Sequence, residues 1–226
     1  MTVPERLAAL RKLMREKNID VYVVPTADFH QSEYVGEHFK ARKFITNFPG
    51  SAGTAVITLN DAKLWTDGRY FIQAAKQLEG TTVTLMKMFE PGVPSVNEYL
   101  EEILQAGQTL SFDGRVVSVG EGDEYAEIAK KKGAKVDYQE DLIDEIWTDR
   151  PPLSEEPAFF LEEKYTGEST ASKLARIRKE MEEAGCDAHI VSTLDDTCWT
   201  LNIRGNDIEF FPLVLSYAII KKDSFE

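Results

Sequence analysis

The chain has 226 residues, 42% of them hydrophobic, which is enough for one packed domain and for part or all of a second. Its 26 basic and 39 acidic residues give a formal net charge of −13. That balance argues against duplex nucleic acid and anionic membranes as partners, because both attract basic surfaces.

Cysteine usage and the N-terminal residues indicate the compartment. Cys186 and Cys198 form no C-x-x-C motif and have no histidine at a metal-binding spacing, so neither a zinc site nor a disulfide framework is expected. The first residues contain no apolar signal core, and no apolar run is long enough to span a bilayer. We therefore expect a cytoplasmic protein.

The first two elements are predicted to be a helix and a buried strand. Thr2 and Glu5 form a T-x-x-E capping box, and apolar residues then recur at helical spacing as far as Asn18. Residues 19–24 are a continuous apolar run that Pro25 ends, as expected of a strand that is buried on both faces.

A polar segment after this strand contains four side chains that could bind a metal ion. Their spacing is not H-E-x-x-H, so we do not expect a metal site here. We interpret residues 26–34 as a loop that leads into a short helix. The four possible ligands are His30, Glu33, Glu37 and His38.

Residues 44–48 are predicted to form a second strand, and residues 49–54 a tight turn of small residues. The turn resembles a phosphate-binding loop, but it lacks the G-K-[ST] ending and precedes a strand. A phosphate loop needs a following helix whose N-terminus binds the anion. Phosphate binding is therefore not expected at this turn.

An antiparallel hairpin comes next. Two apolar runs, residues 55–59 and 62–66, are separated by Asn60 and Asp61, and Asp67 and Gly68 end the second strand. Arg69 is thereby placed at the carboxyl end of that strand, just before a helix that opens near residue 71. Ligands usually bind at this edge of an α/β sheet, and a guanidinium can hold a carboxylate or a carbonyl with two hydrogen bonds. Arg69 is therefore a candidate binding residue; the alternative is a surface arginine after an ordinary turn.

Strands and helices alternate through the rest of residues 1–147. Strands are predicted at residues 82–88, 110–113 and 135–138, and helices begin at the caps Ser95 and Ser118. This alternation predicts an α/β fold in which the hairpin makes the sheet mixed. Residues 148–157 are proline-rich and charged, and we interpret them as an interdomain linker.

The first helix–strand unit then recurs, so residues 158–226 are predicted to be the start of a second domain of the same kind. The second copy reaches only the first strand of its hairpin, and we interpret it as truncated; the alternative is a naturally short lobe. His189 is interpreted as a core or sheet-surface residue of the repeated strand, and Cys198 and Trp199 as packing residues. The corresponding segments are 6–10 with 173–177, 20–28 with 187–195, and 53–57 with 216–220.

Five motifs in this order resemble the long, three-domain Xaa-Pro aminopeptidases, from about residue 5 to the end of the sequence. The resemblance implies two successive creatinase-type N-terminal domains, each with a ribonuclease-H-like fold. In that family a C-terminal "pita-bread" domain follows and performs the catalysis. The motifs are HQSEY at 30–34, GSAGTA at 50–55, WTDGRYF at 65–71, IWTDRP at 146–151 and LNIRGND at 201–207.

The resemblance also implies the chemistry and the partners. The family's catalytic domain holds two divalent metal ions, usually manganese, which activate a water to attack the bond before proline. None of its ligand motifs is in this sequence, so the chain alone is expected to be inactive. Arg69 matches a substrate-contacting arginine, with Asp67, Gly68 and Tyr70 as its supporting turn. The implied partners are the chain's own catalytic domain, peptides with proline at the second position, and further copies in a homo-oligomer.

A second hypothesis is a stand-alone peptide- or protein-binding module of peptidase ancestry, like the related N-terminal region of a eukaryotic histone chaperone. The net charge of −13 suits a basic partner. Prolidase and creatine amidinohydrolase also belong to the peptidase superfamily, but they lack the doubled N-terminal domain.

Overall fold

The computed structural model describes residues 1–226, which form two compact units. The first unit comprises Met1–Glu33 and His38–Pro151, and the second comprises Tyr34–Glu37 and Pro152–Glu226. None of the helices has the length and apolarity that a membrane span requires.

A six-stranded mixed sheet organises the first unit. The spatial order is β4-β3-β2-β1-β5-β6, and only β2 runs antiparallel to its neighbours. The carboxyl ends of the five parallel strands therefore lie at one edge of the sheet. The strands are β1 (Val21–Val24), β2 (Thr54–Thr58), β3 (Ala62–Thr66), β4 (Thr84–Lys87), β5 (Thr109–Phe112) and β6 (Lys135–Asp137).

Helices cover the sheet, and two hydrophobic cores form. Tyr22 and Val24 of β1 belong to one core, whereas Val21 and Val23 belong to the other, as the pleat of a strand buried on both faces requires. These observations confirm the predicted α/β fold with a mixed sheet flanked by helices. The helices are α1 (Val3–Lys17), α2 (Ala41–Thr46), α3 (Phe71–Gln77), α4 (Val96–Ile103), α5 (Val119–Lys132) and α6 (Leu142–Ile146), with a 3₁₀ turn at Glu37–Phe39.

The predicted capping residues are in place. The Thr2 hydroxyl accepts from the Glu5 amide at 3.4 Å, and the Glu5 carboxylate accepts from the Thr2 amide at 2.6 Å. Ser95 and Glu98 form a second capping box in front of α4. Such caps satisfy backbone donors that have no partner inside the helix, which is why they could be predicted from local sequence.

The prediction of a strand at residues 44–48 is wrong. Residues 44–46 are the last residues of α2, and residues 47 and 48 follow the helix. Phe44 and Ile45 are buried in the first core, and Asn47 ends the helix in a left-handed conformation with φ 67°. A short apolar run has too few residues to separate a buried helix from a buried strand by periodicity.

The second unit repeats the start of the first. The order α8-β8-α9-β10 reproduces α1-β1-α2-β2, and β10 pairs antiparallel with β8 as β2 does with β1. A smaller core of four residues holds it together, so the predicted second, shorter copy is confirmed. The elements are β7 (Phe159–Phe160), α7 (Glu163–Thr166), α8 (Thr170–Glu183), β8 (Ala188–Val191), α9 (Leu194–Leu201), β9 (Ile203–Arg204) and β10 (Ala218–Lys221).

Candidate functional site

Arg69 lies in a tight turn at the carboxyl end of β3. The amide of Tyr70 donates to the carbonyl of Asp67 at 3.0 Å, which closes the turn, and α3 begins one residue later. The side chain of Asp67 accepts the Arg69 amide at 3.0 Å, the local bond that makes aspartate a favoured turn residue. The strand, the turn and the helix thus fix the backbone from which the Arg69 side chain leaves the sheet.

The guanidinium of Arg69 is held by the same carboxylate. Its Nε donates to Asp67 Oδ1 at 2.9 Å, and its Nη2 donates to Oδ2 at 2.9 Å. The Arg69 side chain nevertheless remains 60% exposed, and its Nη1 lies 3.9 Å from Glu33 Oε1. The geometry therefore presents an oriented, largely exposed arginine whose only side-chain hydrogen bonds go to Asp67.

The loop after β1 approaches this arginine. Asp28 is fully buried, and its Oδ1 accepts the amides of His30 and Ser32 at 2.8 and 2.9 Å. These bonds fix the loop one residue before Glu33, whose Oε1 lies 3.9 Å from Arg69 Nη1. His30 and Glu33, which belong to the HQSEY motif, thus lie on a loop at the same sheet edge as Arg69.

Tyr70 connects the turn to residues 48–53, the loop that joins α2 to β2 and contains most of the predicted small-residue turn. Its hydroxyl is 2.8 Å from Ser51 Oγ, and its ring meets the Phe48 ring edge to face at 5.6 Å. The Arg69 guanidinium lies 5.3 Å from the centre of the Tyr70 ring. Tyr70 therefore contacts both the loop of residues 48–53 and Arg69, the candidate binding residue.

Residues 6–146 match the creatinase/prolidase N-terminal domain, and residues 149–226 match a second profile with the same description. The chain belongs to the creatinase/prolidase N-terminal domain family. This finding confirms the family resemblance that the motifs indicated.

Relatives of this creatinase-type chain are longer proteins. A probable Xaa-Pro aminopeptidase P of Neurospora crassa is 46% identical over 97% of this chain and 32% of its own length. Aminopeptidase P2 of Arabidopsis thaliana is 39% identical over 99% of the chain and 32% of its own length. The chain therefore spans about a third of the length of these curated relatives.

A solved structure matches the fold of the whole creatinase-type chain. The crystal structure of X-prolyl aminopeptidase from Caenorhabditis elegans has a TM-score of 0.92 and 35% identity, and it covers 100% of this chain. The match spans 38% of that protein, which is described as a cytosolic enzyme with a di-nuclear active site.

A second Asp-Gly-Arg tripeptide lies at the same sheet edge and was missed by the sequence analysis. Arg115 follows β5 as Arg69 follows β3, and its amide, Nε and Nη2 donate to Asp113 at 3.0, 2.9 and 3.0 Å. Unlike Arg69, it also donates to a second carboxylate, Asp141, at 2.9 Å. The repeated tripeptide after a predicted strand was the available signal.

Arg42 was also missed. It is only 4% exposed, and its guanidinium donates to the Thr26 hydroxyl and to the carbonyls of Phe48 and Gly50. It lies between Lys40 and Lys43, just before the strand that was wrongly predicted at residues 44–48, and a basic stretch gives no local signal of a buried arginine. The loop that superficially resembled a phosphate loop therefore has carbonyls that face a buried arginine.

The four possible metal ligands of the polar segment do not form a cluster. Nδ1 of His38 lies 2.8 Å from the carbonyl oxygen of Pro151, and Glu33 faces Arg69. No three His, Cys, Asp or Glu side chains of the chain are arranged to hold a metal ion. The residues present here thus do not fit a dinuclear metal centre.

A cavity of about 20 Å³ lies at the carboxyl end of β1, with Ala27, Asp113, Asp141 and Arg150 in its lining. Such a volume accommodates about one water molecule. The cavity is therefore too small to be a peptide site.

The Asp67–Arg69 pair gives a testable titration. Hydrogen bonds from Arg69 lower the pKa of Asp67 below its ordinary value of 3.8. The stabilisation from the pair is therefore present at neutral pH and is lost as the pH falls through that lowered pKa. In Arg69→Ala we expect the pKa of Asp67 to return towards 3.8 in a carboxyl ¹³C NMR titration. The pKa of Glu98, which the Ser95 amide lowers, should not change.

Proposed function

We propose that the chain is the non-catalytic N-terminal segment of a metal-dependent Xaa-Pro aminopeptidase, an enzyme that removes the N-terminal residue before proline. The observation that carries this proposal is an exposed, Asp67-oriented arginine on a chain that matches such enzymes over nearly its whole length. The proposed domains are residues 1–147, a linker at 148–157 and a second domain at 158–226.

Arg69 is the proposed direct contribution of this segment to the peptide site. Asp67 occupies Nε and Nη2, and Glu33 Oε1 lies 3.9 Å from Nη1, beyond hydrogen-bond distance, so the protons of Nη1 and the second proton of Nη2 can still donate to a peptide carbonyl or a carboxylate. A guanidinium that is already oriented loses less conformational freedom on binding than a free side chain does. Asp67, Gly68 and Tyr70 are supporting residues of the turn.

The catalytic metals belong, in this proposal, to a domain outside the chain. There, two divalent ions, usually manganese in this family, supply an activated water as nucleophile. The residues of this chain do not perform that step. They form part of the wall of the peptide site and supply a hydrogen-bond donor to the peptide. They also supply the interfaces with the catalytic domain and with further copies of the enzyme in a cytoplasmic homo-oligomer.

The experiment compares the gene product that carries this chain with the chain alone. We expect the gene product to release the first residue of Ala-Pro-Ala and not of Ala-Ala-Ala, to lose this activity with a chelator, and to regain it with Mn²⁺. The 226-residue chain should give no turnover. A metal-replete gene product that leaves Ala-Pro-Ala intact would contradict the proposal.

The net charge of −13 favours one further candidate, a catalytically inactive binding module for a basic partner. The mass of the native product in its source cells separates the two. A mass well above 25.5 kDa supports the peptidase, whereas a mass near 25.5 kDa supports the module.

A further inference from the structure

Arg42 is a buried cation without a carboxylate partner. Its Nε donates to Thr26 Oγ1 at 2.6 Å, its Nη1 donates to the Phe48 carbonyl at 2.6 Å, and its Nη2 donates to the Gly50 carbonyl. Its guanidinium also lies 4.8 Å from the centre of the Phe48 ring. Every contact is thus directed at the loop of residues 48–53 or at Thr26, which supports the same loop.

Burying the Arg42 guanidinium costs desolvation free energy, and its hydrogen bonds to the loop of residues 48–53 must offset that cost. Desolvation lowers the pKa of Arg42 to about 10, so the guanidinium is still charged at neutral pH. A buried charge is tolerated only when hydrogen bonds replace its lost hydration. Here those bonds come from backbone carbonyls, and a lysine, with three donors on one atom, cannot reproduce the planar fork.

The loop has little freedom to move once these bonds are made. Thr26 Oγ1 donates to the Gly53 carbonyl at 2.8 Å, and the hydroxyl of Thr66, the last residue of β3, donates to Ala52 at 2.7 Å. A Cβ at Gly50 would overlap the Phe48 ring. The loop is therefore held by hydrogen bonds from Thr26 after β1, from Thr66 at the end of β3 and from the buried Arg42.

Two contacts lead from the fixed loop to the candidate peptide site. Ser51 Oγ holds the Tyr70 hydroxyl at 2.8 Å, and the Phe48 ring, which lies against the Arg42 guanidinium, packs on the Tyr70 ring. Tyr70 closes the turn through its amide and lies against the guanidinium of Arg69.

We propose that Arg42 is a positioning residue for peptide binding: it fixes residues 48–53, which hold Tyr70 and thereby the turn that carries Arg69. This inference rests on the proposed role of Arg69. It adds a residue that is buried beneath the site and does not touch the peptide.

The test follows the Nε–H signal of Arg69 by ¹⁵N NMR, because this proton donates to Asp67 and reports the guanidinium position without any activity. The same substitutions are made in the gene product that carries this chain, and its metal-free form, which cannot hydrolyse the peptide, is titrated with Ala-Pro-Ala to measure peptide affinity. In Arg42→Lys we expect the Arg69 signal to shift or broaden. Peptide affinity should fall about five-fold, the size of a typical coupling between connected residues.

Arg150→Lys is the matched control. Arg150 is also buried, with 8% of its side chain exposed, and it donates to the His38 carbonyl and to Asp141 and Asp144, not to the 48–53 loop. This variant should lose stability as well, but the Arg69 signal and the peptide affinity should stay at the wild-type values. Such a result would separate positioning from general destabilisation.

Tyr70→Phe keeps the proposal testable if Arg42→Lys does not fold. It removes only the hydroxyl that meets Ser51, and we expect the same direction of change in the Arg69 signal. A wild-type Arg69 signal in both folded variants would overturn the inference. If the metal-free gene product with wild-type residues does not bind Ala-Pro-Ala at all, the proposed function of Arg69 fails, while the NMR signal of the chain still decides whether Arg42 positions it.

Discussion

Replacing Arg69 by alanine should lower kcat/KM of the gene product for Xaa-Pro peptides by about 10- to 100-fold, the range expected for losing a charged hydrogen bond to substrate. The variant loses the largely exposed guanidinium, and it leaves the Asp67 carboxylate without its cation. A carboxylate at that position repels the carbonyl or carboxylate that the arginine is proposed to bind. Initial-rate kinetics with Ala-Pro-Ala measure the effect.

The second Asp-Gly-Arg tripeptide supplies the control. Arg115→Ala removes an arginine with the same local geometry and a similar exposure, 56% against 60%, from the same sheet edge. We expect Arg115→Ala to retain wild-type kinetics, because its guanidinium is shared between Asp113 and Asp141. Equal losses in the two variants would show that the effect is not specific to Arg69.

Stability should distinguish a binding role from a folding role. Arg69 is largely exposed and contacts its own turn, so Arg69→Ala should unfold at nearly the wild-type temperature. Arg69→Lys retains the charge but cannot form bidentate hydrogen bonds, and its kcat/KM should lie between those of the wild type and the alanine variant. Unchanged kinetics in a folded Arg69→Ala variant would refute the assignment.

Local chemistry made part of the fold predictable. The capping box at Thr2 and Glu5 and the Asp67 turn depend on residues three positions apart or fewer, so the sequence alone specifies them. The hairpin was predictable for the same reason, since two apolar runs flank a short polar turn. Arg69 could be placed at the sheet edge because it follows such a strand directly.

The parts that could not be predicted depend on contacts between distant residues. α2 is helical because its apolar face packs on the first core, and its short run of apolar residues does not by itself indicate a helix. Arg42 became recognisable only once folding had brought Thr26 and the Gly50 carbonyl around it. Propensity and motif spacing contain no information about such contacts.

The repeat extends to side chains in a way that local sequence did not reveal. Arg6 at the start of α1 donates to the carbonyl of Phe44 in α2 at 2.7 Å, and its guanidinium lies 4.3 Å from the Phe44 ring centre. In the second unit Lys173 donates to the carbonyl of Trp199 in α9 at 2.7 Å, again 4.3 Å from the ring centre. We call each arrangement a cation clasp.

Both clasps hold the end of a helix. The C-terminal capping residue is Asn47 for α2 and Asn202 for α9, both in the left-handed conformation, with φ 67° and 53°. The last carbonyls of a helix have no partner inside the helix, so a basic side chain that reaches one of them stabilises the end. Lys173 also donates to Asn202 Oδ1 at 2.6 Å and therefore holds the capping residue itself.

Replacing Lys173 by methionine should cost the second unit about 2 kcal/mol, because Asn202 Oδ1 loses a buried donor and the Trp199 carbonyl keeps only the long bond from the Asn202 amide. Lys173 is only 2% exposed, and methionine keeps most of its apolar volume. Relief from burying an ammonium offsets part of the loss, since desolvation lowers the pKa of Lys173 below its ordinary value of 10.5. Hydrogen exchange of the α9 amides should accelerate about 30-fold, the equivalent of that free energy.

Arg6→Met is the counterpart in the first unit, and the comparison decides whether each clasp acts locally. Arg6 is less buried than Lys173 and serves one carbonyl, so its replacement should cost about 1 kcal/mol and accelerate exchange in α2. Each variant should leave exchange in the other unit at the wild-type rate, because the two clasps share no residue. If Lys173→Met accelerated exchange equally in α2 and α9, the units would unfold as one, and the clasp would not be a local device. If it accelerated neither, the buried ammonium would contribute nothing to holding the end of α9.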